Sequence, residues 1–318
     1  MNPGCTVAKT ESPAAVFKEA SSIPILSAGG EDAQGDERGG GPIHSPEDSR
    51  TARPVESGVP PALVRPAPRA GTVLVDLAAH VGRFGLLARD VALALRDWRT
   101  WGPLVGAQAY EIGVRSLPIV LLISAFAGVV TALQTGHQFT GTVPWSIVGS
   151  IVSTSVILEL GPVLTGLILA GRVGARIAAE LGTMRVTEQI DALETLARDP
   201  VSYLLVPRIL AGAVMVPILV AFSDAMGFFS GLFASVATLP MTVADFLEGA
   251  RQYSTPFDFV YSEIKAFTFG LALTSIPCYI GFTTTGGAEG VGRATTQAVV
   301  ASSVVILLLN TVLARMLL

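Results

Sequence analysis

Five long apolar stretches occupy the carboxyl-terminal part of the sequence, and they limit the folds that the chain can adopt. They cover approximately residues 117–138, 145–171, 203–239, 259–284 and 295–317. Each is long enough to cross a bilayer, which requires about 20 apolar residues. Only 14% of the 318 residues are charged, whereas about one quarter is usual for a soluble domain. We therefore predict an all-α integral membrane protein with five transmembrane helices.

The third stretch is longer than a single crossing needs. It fits either one tilted helix or a helical hairpin that turns near Ser223-Asp224 or Gly227. Basic residues favour five spans over six, because residues 72–116 and 172–208 carry five arginines each and residues 240–258 carry one. With five spans the two arginine-rich segments fall on the same side, which the positive-inside rule makes cytoplasmic.

The first 70 residues differ from the rest in composition. They are rich in Gly, Pro, Ser, Glu and Asp, and they bury too little apolar surface to offset the entropy of ordering. We predict a disordered tail over residues 1–70, with a partner-docking arm as the alternative. The folded domain is then predicted to occupy residues 71–318.

Residues 72–98 are amphipathic. Apolar residues from Leu74 to Leu95 recur at intervals of three and four, but four charged residues interrupt them and Arg96 follows. This pattern predicts an amino-terminal interfacial helix that lies along the membrane surface and does not cross it. A helix packed on a soluble subdomain is the alternative.

Common catalytic, metal-binding and nucleotide-binding motifs are absent from the sequence. It contains no HExxH, CxxC, GxSxG or GxxxxGK[ST], and its two cysteines, Cys5 and Cys278, lie far apart. The sequence also lacks a basic cluster with interleaved aromatic residues, the pattern that would indicate nucleic-acid binding. We expect no catalytic residues, no metal ligands and no bound cofactor, so any ATP that drives the protein is bound by a separate chain.

A charged segment, GTMRVTEQIDALETLARDP, separates the second and third spans. It carries four acids and two arginines, and its apolar residues recur at helical spacing. The pattern predicts a short helix over about 182–199 that ends at Pro200. Such a helix is marginal by itself, so its apolar face needs a surface. That surface is either a partner protein or the chain's own membrane domain and the lipid headgroups, and the residues alone favour neither.

Ionisable residues inside the predicted spans are costly to bury and therefore mark candidate sites. Glu159 lies within the second span and precedes Pro162, which interrupts the helical hydrogen-bond ladder. Glu159 either faces a transport cavity or pairs with a cation such as Lys265. We assign structural roles to Asp224, Glu263 and Lys265, and we expect the last two near the outer interface. An apolar stripe on the first span, which could line a lipid path, contains Leu121, Phe126, Val130 and Leu133.

A long run in the middle of the chain resembles a known family. The run ELGPVLTGLILAGRVGARIAAELGTMRVTEQIDALETLARDPVSYLLVPRILA, from Glu159 to Ala211, is similar to the signature of the MlaE (YrbE) family of ABC-transporter permeases. The pieces SEIKAFTFG and GVGRATTQAVVASS extend the resemblance, which covers roughly residue 72 to the end.

The resemblance implies a specific assembly. Members have an interfacial helix and five spans, form a homodimer in the bacterial inner membrane, and bind two cytoplasmic ATPase subunits. They pass phospholipid or another lipid to or from an MCE-domain protein. Residues 182–199 would be the coupling helix, with these residues facing the ATPase: Met184, Arg185, Glu188, Gln189, Asp191, Leu193 and Glu194. The lipid path or gate would include Leu121, Phe126, Val130, Leu133, Glu159 and Pro162.

An ion-coupled secondary transporter is the main alternative. Glu159 and Asp224 would then serve as proton sites, and the broken second span is a feature of such carriers. The chain, however, shows no internal repeat, and such a carrier has no use for an ATPase-docking helix. A membrane-embedded enzyme is disfavoured because no nucleophile–base pair or metal cluster is apparent.

Overall fold

The computed structural model describes residues 70–138 and 144–317. The predicted tail therefore lies outside the described residues, apart from Ala70. Within these ranges the secondary structure is helical, with no strand. The α-helices are α1 Ala70–Ala94, α2 Trp98–Ala109, α3 Leu117–Gln138, α4 Ser146–Ser155, α5 Gly161–Leu169, α6 Ala175–Val186, α7 Gln189–Thr195, α8 Val206–Thr238, α9 Val243–Tyr253, α10 Pro256–Phe282 and α11 Gly287–Leu317. The π-helical segments are Tyr110–Val114, Val156–Leu160, Ala170–Gly174 and Val201–Leu205.

Five of the described helical segments are long and apolar enough to cross a membrane, which confirms the predicted number. They are Trp98–Gln138, Ser146–Val186, Val201–Thr238, Pro256–Phe282 and Gly287–Leu317. The third is one continuous helix through Pro217, so the hairpin alternative is wrong. Ser223, Asp224 and Gly227, where a turn was considered, are buried inside that helix.

The predicted interfacial helix over 72–98 corresponds to α1 and ends four residues earlier than predicted, while α2 belongs to the first membrane-spanning segment. α1 ends at Ala94, and α2 begins at Trp98 after Asp97 leaves the helical conformation. Asp97 accepts a 2.6 Å hydrogen bond from the Thr100 hydroxyl, a local bond of the kind that competes with helix propagation. α1 is amphipathic as expected, because Leu87 and Val91 pack on the core. Leu86 and Leu93 on its other side are exposed.

A short helix between the third and fourth spans, α9, was not predicted. Reciprocal hydrogen bonds between Thr242 and Asp245 form a capping box at its start, and a similar pair stands at Thr255 and Asp258 before α10. α9 crosses α4 so closely that a Cβ added to Gly249 would lie 1.6 Å from Ser146 O. The two T-x-x-D patterns were the sequence signal that could have located both helix starts.

The buried core has two parts. The smaller cluster joins α3, α4, α8 and α9 around Val152, Val156 and Phe246. The larger cluster extends from α2 through α5, α6, α8 and α10 to α11 and includes Leu181, Ile190 and Phe269. Because Ile190 belongs to α7, the segment between the second and third spans is anchored in the core of the membrane domain.

Small residues allow the spans to approach closely. A Cβ on Gly128 of α3 would lie 2.1 Å from Gly227 O of α8, and one on Gly231 would lie 2.7 Å from Val152 of α4. The Gly227-x-x-x-Gly231 motif therefore packs within the chain, as small residues commonly do between membrane helices.

Candidate coupling and transport sites

The predicted helix over 182–199 is instead the end of one helix, a turn and a second short helix. α6 ends at Val186, Glu188 adopts the left-handed conformation with φ of 59°, and α7 then runs from Gln189 to Thr195. A non-glycine residue at positive φ interrupts a helix, so one continuous helix was the wrong expectation. Arg185 and Asp191 bridge the break with a 2.5 Å contact between Nη1 and Oδ1.

The apolar side of this segment packs on the chain itself. Ile190 has no exposed surface, and Met184 and Leu193 pack against the same cluster. Of the two surfaces considered for the apolar face, these three side chains use the chain's own membrane domain. Met184 and Leu193, which were predicted to face the ATPase, therefore have at least part of their surface covered.

The opposite side of the segment is open. The exposed residues include predicted positions and one apolar side chain that was not predicted, Leu196, which is 73% exposed. The exposed predicted positions are Glu188, Gln189, Asp191 and Glu194. The arrangement leaves an acidic surface with one prominent apolar side chain, held in place by buried Ile190.

A chain of ion pairs holds α6 against its neighbours. Glu111 pairs with Arg115 at 3.0 Å and also contacts Arg176 of α6. Glu180 of α6 pairs with Arg176 at 3.4 Å and with Arg208 of α8 at 3.2 Å. Exposed pairs contribute little each, but Arg208 is almost fully buried and also donates to Leu204 O. This network was not predicted, although Arg176 and Glu180 have the i, i+4 spacing that could have indicated part of it.

A second polar cluster lies inside the spans and joins three of them. The Lys265 ammonium of α10 lies 2.8 Å from Glu159 Oε1, and the Asn310 amide of α11 donates to Glu159 Oε2 at 2.9 Å. Lys265 is fully buried and lies 4.5 Å from the centroid of the Tyr261 ring, a cation–π contact. The expected position of Lys265 near the outer interface is wrong, because it lies nine residues, or about 14 Å of helix rise, inside α10.

Pro162 explains why the lysine docks at this point. Proline has no N–H, so Leu158 O, four residues earlier, lacks its regular helical donor. The Lys265 ammonium donates to that carbonyl at 2.8 Å, next to the π-helical segment that contains Glu159. The pairing of Glu159 with Lys265 is the one expected for a structural carboxylate. The Glu159 side chain is nonetheless 44% exposed in the single chain, so one side of it is open.

Asp224 occupies a separate buried position. It accepts a 2.8 Å hydrogen bond from the Ser262 hydroxyl, while its Oδ1 has no partner among the described residues. A Cβ on Gly161 would lie 1.7 Å from that oxygen. Asp224 therefore fits against the Gly161-Pro162 break of the second span and links α8, α10 and α5.

The stripe predicted on the first span is exposed for the most part. Phe126, Val130 and Leu133 are exposed, whereas Leu121 is half-buried. Leu122, which was not predicted, is 57% exposed and continues the stripe at helical spacing. The described residues contain no group of three or more His, Cys, Asp or Glu side chains that could hold a metal ion.

Comparisons with known proteins agree on one family. The model of the family described as Permease MlaE matches residues 105–316. A probable ABC transporter permease protein of Rickettsia bellii is 40% identical over 240 residues, which is 76% of this chain and 93% of that protein.

Two further relatives carry more specific names. The intermembrane phospholipid transport system permease protein MlaE of Haemophilus influenzae is 33% identical over 244 residues, covering 76% of this chain and 94% of that protein. The chloroplastic protein TRIGALACTOSYLDIACYLGLYCEROL 1 of Arabidopsis thaliana is 38% identical over 206 residues, covering 65% and 59% of the two chains. With five membrane-spanning helices and a family match over two thirds of its length, the chain belongs to the MlaE permease family.

Proposed function

We propose that this chain is the permease subunit of an ABC transporter that moves phospholipid or a related lipid. It works as a homodimer in the bacterial inner membrane, a separate ATPase subunit binds the ATP, and an MCE-domain protein exchanges the lipid. The name of the Haemophilus relative, a phospholipid transport permease, supports the lipid class. The resemblance of the central run to the family signature supports the assembly.

The observation that carries the proposal is the attachment of the exposed α7 segment to the second span. α6 and the second span form one helical segment from Ser146 to Val186, which contains Glu159. Ile190 fixes α7 to the core, and ion pairs tie α6 to α8. An ATPase that pushes on α7 would therefore move a rigid element that reaches the intramembrane cluster, as coupling between distant sites requires.

The same arrangement supports an orientation. α7 and the turn between α10 and α11 lie on one side, because a Cβ on Gly182 would be 3.3 Å from the Thr284 hydroxyl. The arginine-rich loop makes this the cytoplasmic side. α9 then faces the outside, where the lipid carrier would dock.

The lipid path is assigned to the open side of the first two spans. Phe126, Val130 and Leu133 offer an apolar wall on the first span, and Glu159 is a half-exposed polar group on the second. At Glu159 the ion-coupled alternative has less support, because both carboxylate oxygens already have partners in Lys265 and Asn310.

Affinity purification of the full-length chain from its native membrane in mild detergent tests the proposal. Mass spectrometry of proteins and lipids is expected to recover an ATPase with a Walker motif, an MCE-domain protein and bound phospholipid. Recovery of the chain alone, with no ATPase and no stimulated ATP hydrolysis, would contradict it.

A further inference from the structure

A large groove lies between α10 and α11, and its inner end, at Thr268 and Leu309, is next to Lys265 and Asn310 of the Glu159 cluster. It has a volume of about 1120 Å³, and Phe84 of α1 lines it as well. One wall is formed by α10 residues between Thr268 and Thr283, and the other by α11 residues between Gly290 and Leu309. Its volume is slightly above the range of about 300–1,000 Å³ that is usual for small-molecule sites.

The groove changes from polar to apolar along its length. It is lined by Thr285 at the α10–α11 turn, by Arg293 and Gln297 in the first part of α11, and farther along α11 by Ala301, Val305 and Leu309. The Ser275 hydroxyl in the α10 wall donates to Leu271 O at 2.6 Å, so this polar group is satisfied by its own helix. The deep part of the groove therefore offers little hydrogen bonding to a ligand and suits a hydrocarbon chain.

Arg293 is the one charged residue that lines the groove, and no acid lines it. Its guanidinium pairs with Glu289 at 3.0 Å, but both side chains are more than two thirds exposed. An exposed i, i+4 pair is weak, so the guanidinium can bind a phosphate. The mouth of the groove therefore complements an anionic headgroup.

The length of the groove matches one leaflet of a membrane. Sixteen residues separate Arg293 from Leu309, which corresponds to about 24 Å of helix. Half of a bilayer's hydrocarbon core is about 15 Å thick, and the headgroup region adds several ångström. A lipid with its phosphate at Arg293 would reach Leu309 with its tail.

We propose that this groove binds an anionic glycerophospholipid of the cytoplasmic leaflet, with the phosphate at Arg293 and an acyl chain along α11. The site lies on α10 and α11 and not on the apolar wall proposed for the first span, and it rests on the proposed function only for its orientation. Its mouth is next to the coupling segment, because Gly182 of α6 faces Thr284 at the same turn. Bound lipid would therefore contact the region that an ATPase moves.

Packing and the headgroup contact determine the specificity. Lipid tails are as apolar as the groove, so moving a tail from the bilayer into it brings no hydrophobic gain. Selectivity for an anionic lipid must then come from Arg293. A charge-assisted hydrogen bond is strong enough that its loss weakens binding by about tenfold or more.

Native mass spectrometry of the full-length complex in mild detergent, titrated with phosphatidylglycerol, tests the site. We expect Arg293→Gln to weaken phosphatidylglycerol binding about tenfold and Arg293→Lys to retain more of it. Ala301→Trp, which fills the groove, should abolish binding, while Val214→Trp at an exposed position of another span should leave it unchanged. Arg293 is exposed, so its variants test the site even if Ala301→Trp fails to fold.

Two outcomes would overturn the site. One is equal retention of phosphatidylglycerol by Arg293→Gln and the unmodified chain. The other is an Ala301→Trp variant that keeps the lipid but loses self-association, which would show that a second copy covers the groove. Recovery of the ATPase in the same samples is scored separately, so its absence would count against the proposed function and not against the groove.

Discussion

The buried Lys265 ammonium contacts Glu159 Oε1 and Leu158 O at 2.8 Å each. The two partners of this ion pair are 106 residues apart and belong to the fourth and second spans. The pair therefore closes a long-range connection at the point where Pro162 has freed a carbonyl. A buried cation at such a place is stable only while its partners remain.

Lys265→Met is expected to lower thermal stability. The substitution leaves Glu159 and Leu158 O without their donor, which for a buried pair costs about 3–5 kcal/mol. Because Glu159 is half-exposed, we expect the lower end of that range, about 3 kcal/mol. Thermal unfolding of the purified protein in detergent measures the effect.

The double variant Glu159→Gln/Lys265→Met separates pairing from packing. It removes the unpaired charge and keeps an acceptor for Asn310, so it should be more stable than Lys265→Met alone. Losses that simply add would show that the two side chains are not coupled.

Gly249→Ala is expected to disturb the crossing of α9 and α4. The added Cβ would lie 1.6 Å from Ser146 O, and a backbone atom cannot rotate away as a side chain can. Overpacking of this kind costs about 1–3 kcal/mol. Gly106→Ala in α2 is the matched control, because no atom lies within 4 Å of its added Cβ. Equal melting temperatures for the two variants would contradict the close crossing.

Glu188→Gly is expected to preserve or raise stability, since glycine adopts positive φ without strain. Glu188→Val should lower stability, because a β-branched residue is disfavoured at φ of 59°. Limited proteolysis of the α6–α7 turn measures both effects. Faster cleavage of the glycine variant than of the valine variant would contradict the left-handed conformation of Glu188.

Apolar length and arginine distribution were sufficient to predict the five spans and their order. The ends of the helices were harder to predict from the sequence. Glu188 has no residue-level signal for a left-handed conformation, because that conformation follows from Ile190 packing into the core. The division between α6 and α7 was therefore missed, and the predicted end at Pro200 was wrong, because α7 ends at Thr195 and Pro200 begins the next helical segment.

The intramembrane cluster was only partly predictable. Glu159 stands three residues before Pro162 in the sequence, so a break next to a costly carboxylate could be inferred from their order. Asn310 was not identified, because its pairing with Glu159 depends on how α11 packs beside the second span. The ion-pair network that joins Glu111 to α6 and α8 was missed for the same reason, since Glu111 and Arg208 are brought to α6 only by the folding of the chain.

The capping box of α9 is expected to make the stability of the protein depend on pH in a definite direction. Hydrogen bonds from the Thr242 backbone and hydroxyl lower the pKa of Asp245 from its ordinary value of 3.8. A lowered pKa contributes stability that is present above the unfolded pKa and is lost as pH falls through the folded pKa. The difference in melting temperature between the unmodified chain and Asp245→Asn should therefore be constant near neutral pH and shrink below about 3.8. A difference that grows on acidification would contradict the cap.

The exposed side of α7 is the feature on which the proposed coupling depends. Glu194→Lys reverses a charge, and Leu196→Asp removes the prominent apolar side chain. Neither residue is buried, so both variants should fold normally. Leu193→Asp is unsuitable, because Leu193 packs against the core. Glu248→Lys, an exposed charge reversal on α9, is the matched control on the opposite side of the membrane domain.

Co-purification of the ATPase with these variants tests most directly whether α7 is the coupling element. We predict that Glu194→Lys and Leu196→Asp lose the ATPase and its stimulated ATP hydrolysis while keeping the unmodified chain's melting temperature, and that Glu248→Lys retains both. Normal ATPase recovery by Glu194→Lys and Leu196→Asp would contradict the assignment of α7 as the coupling element.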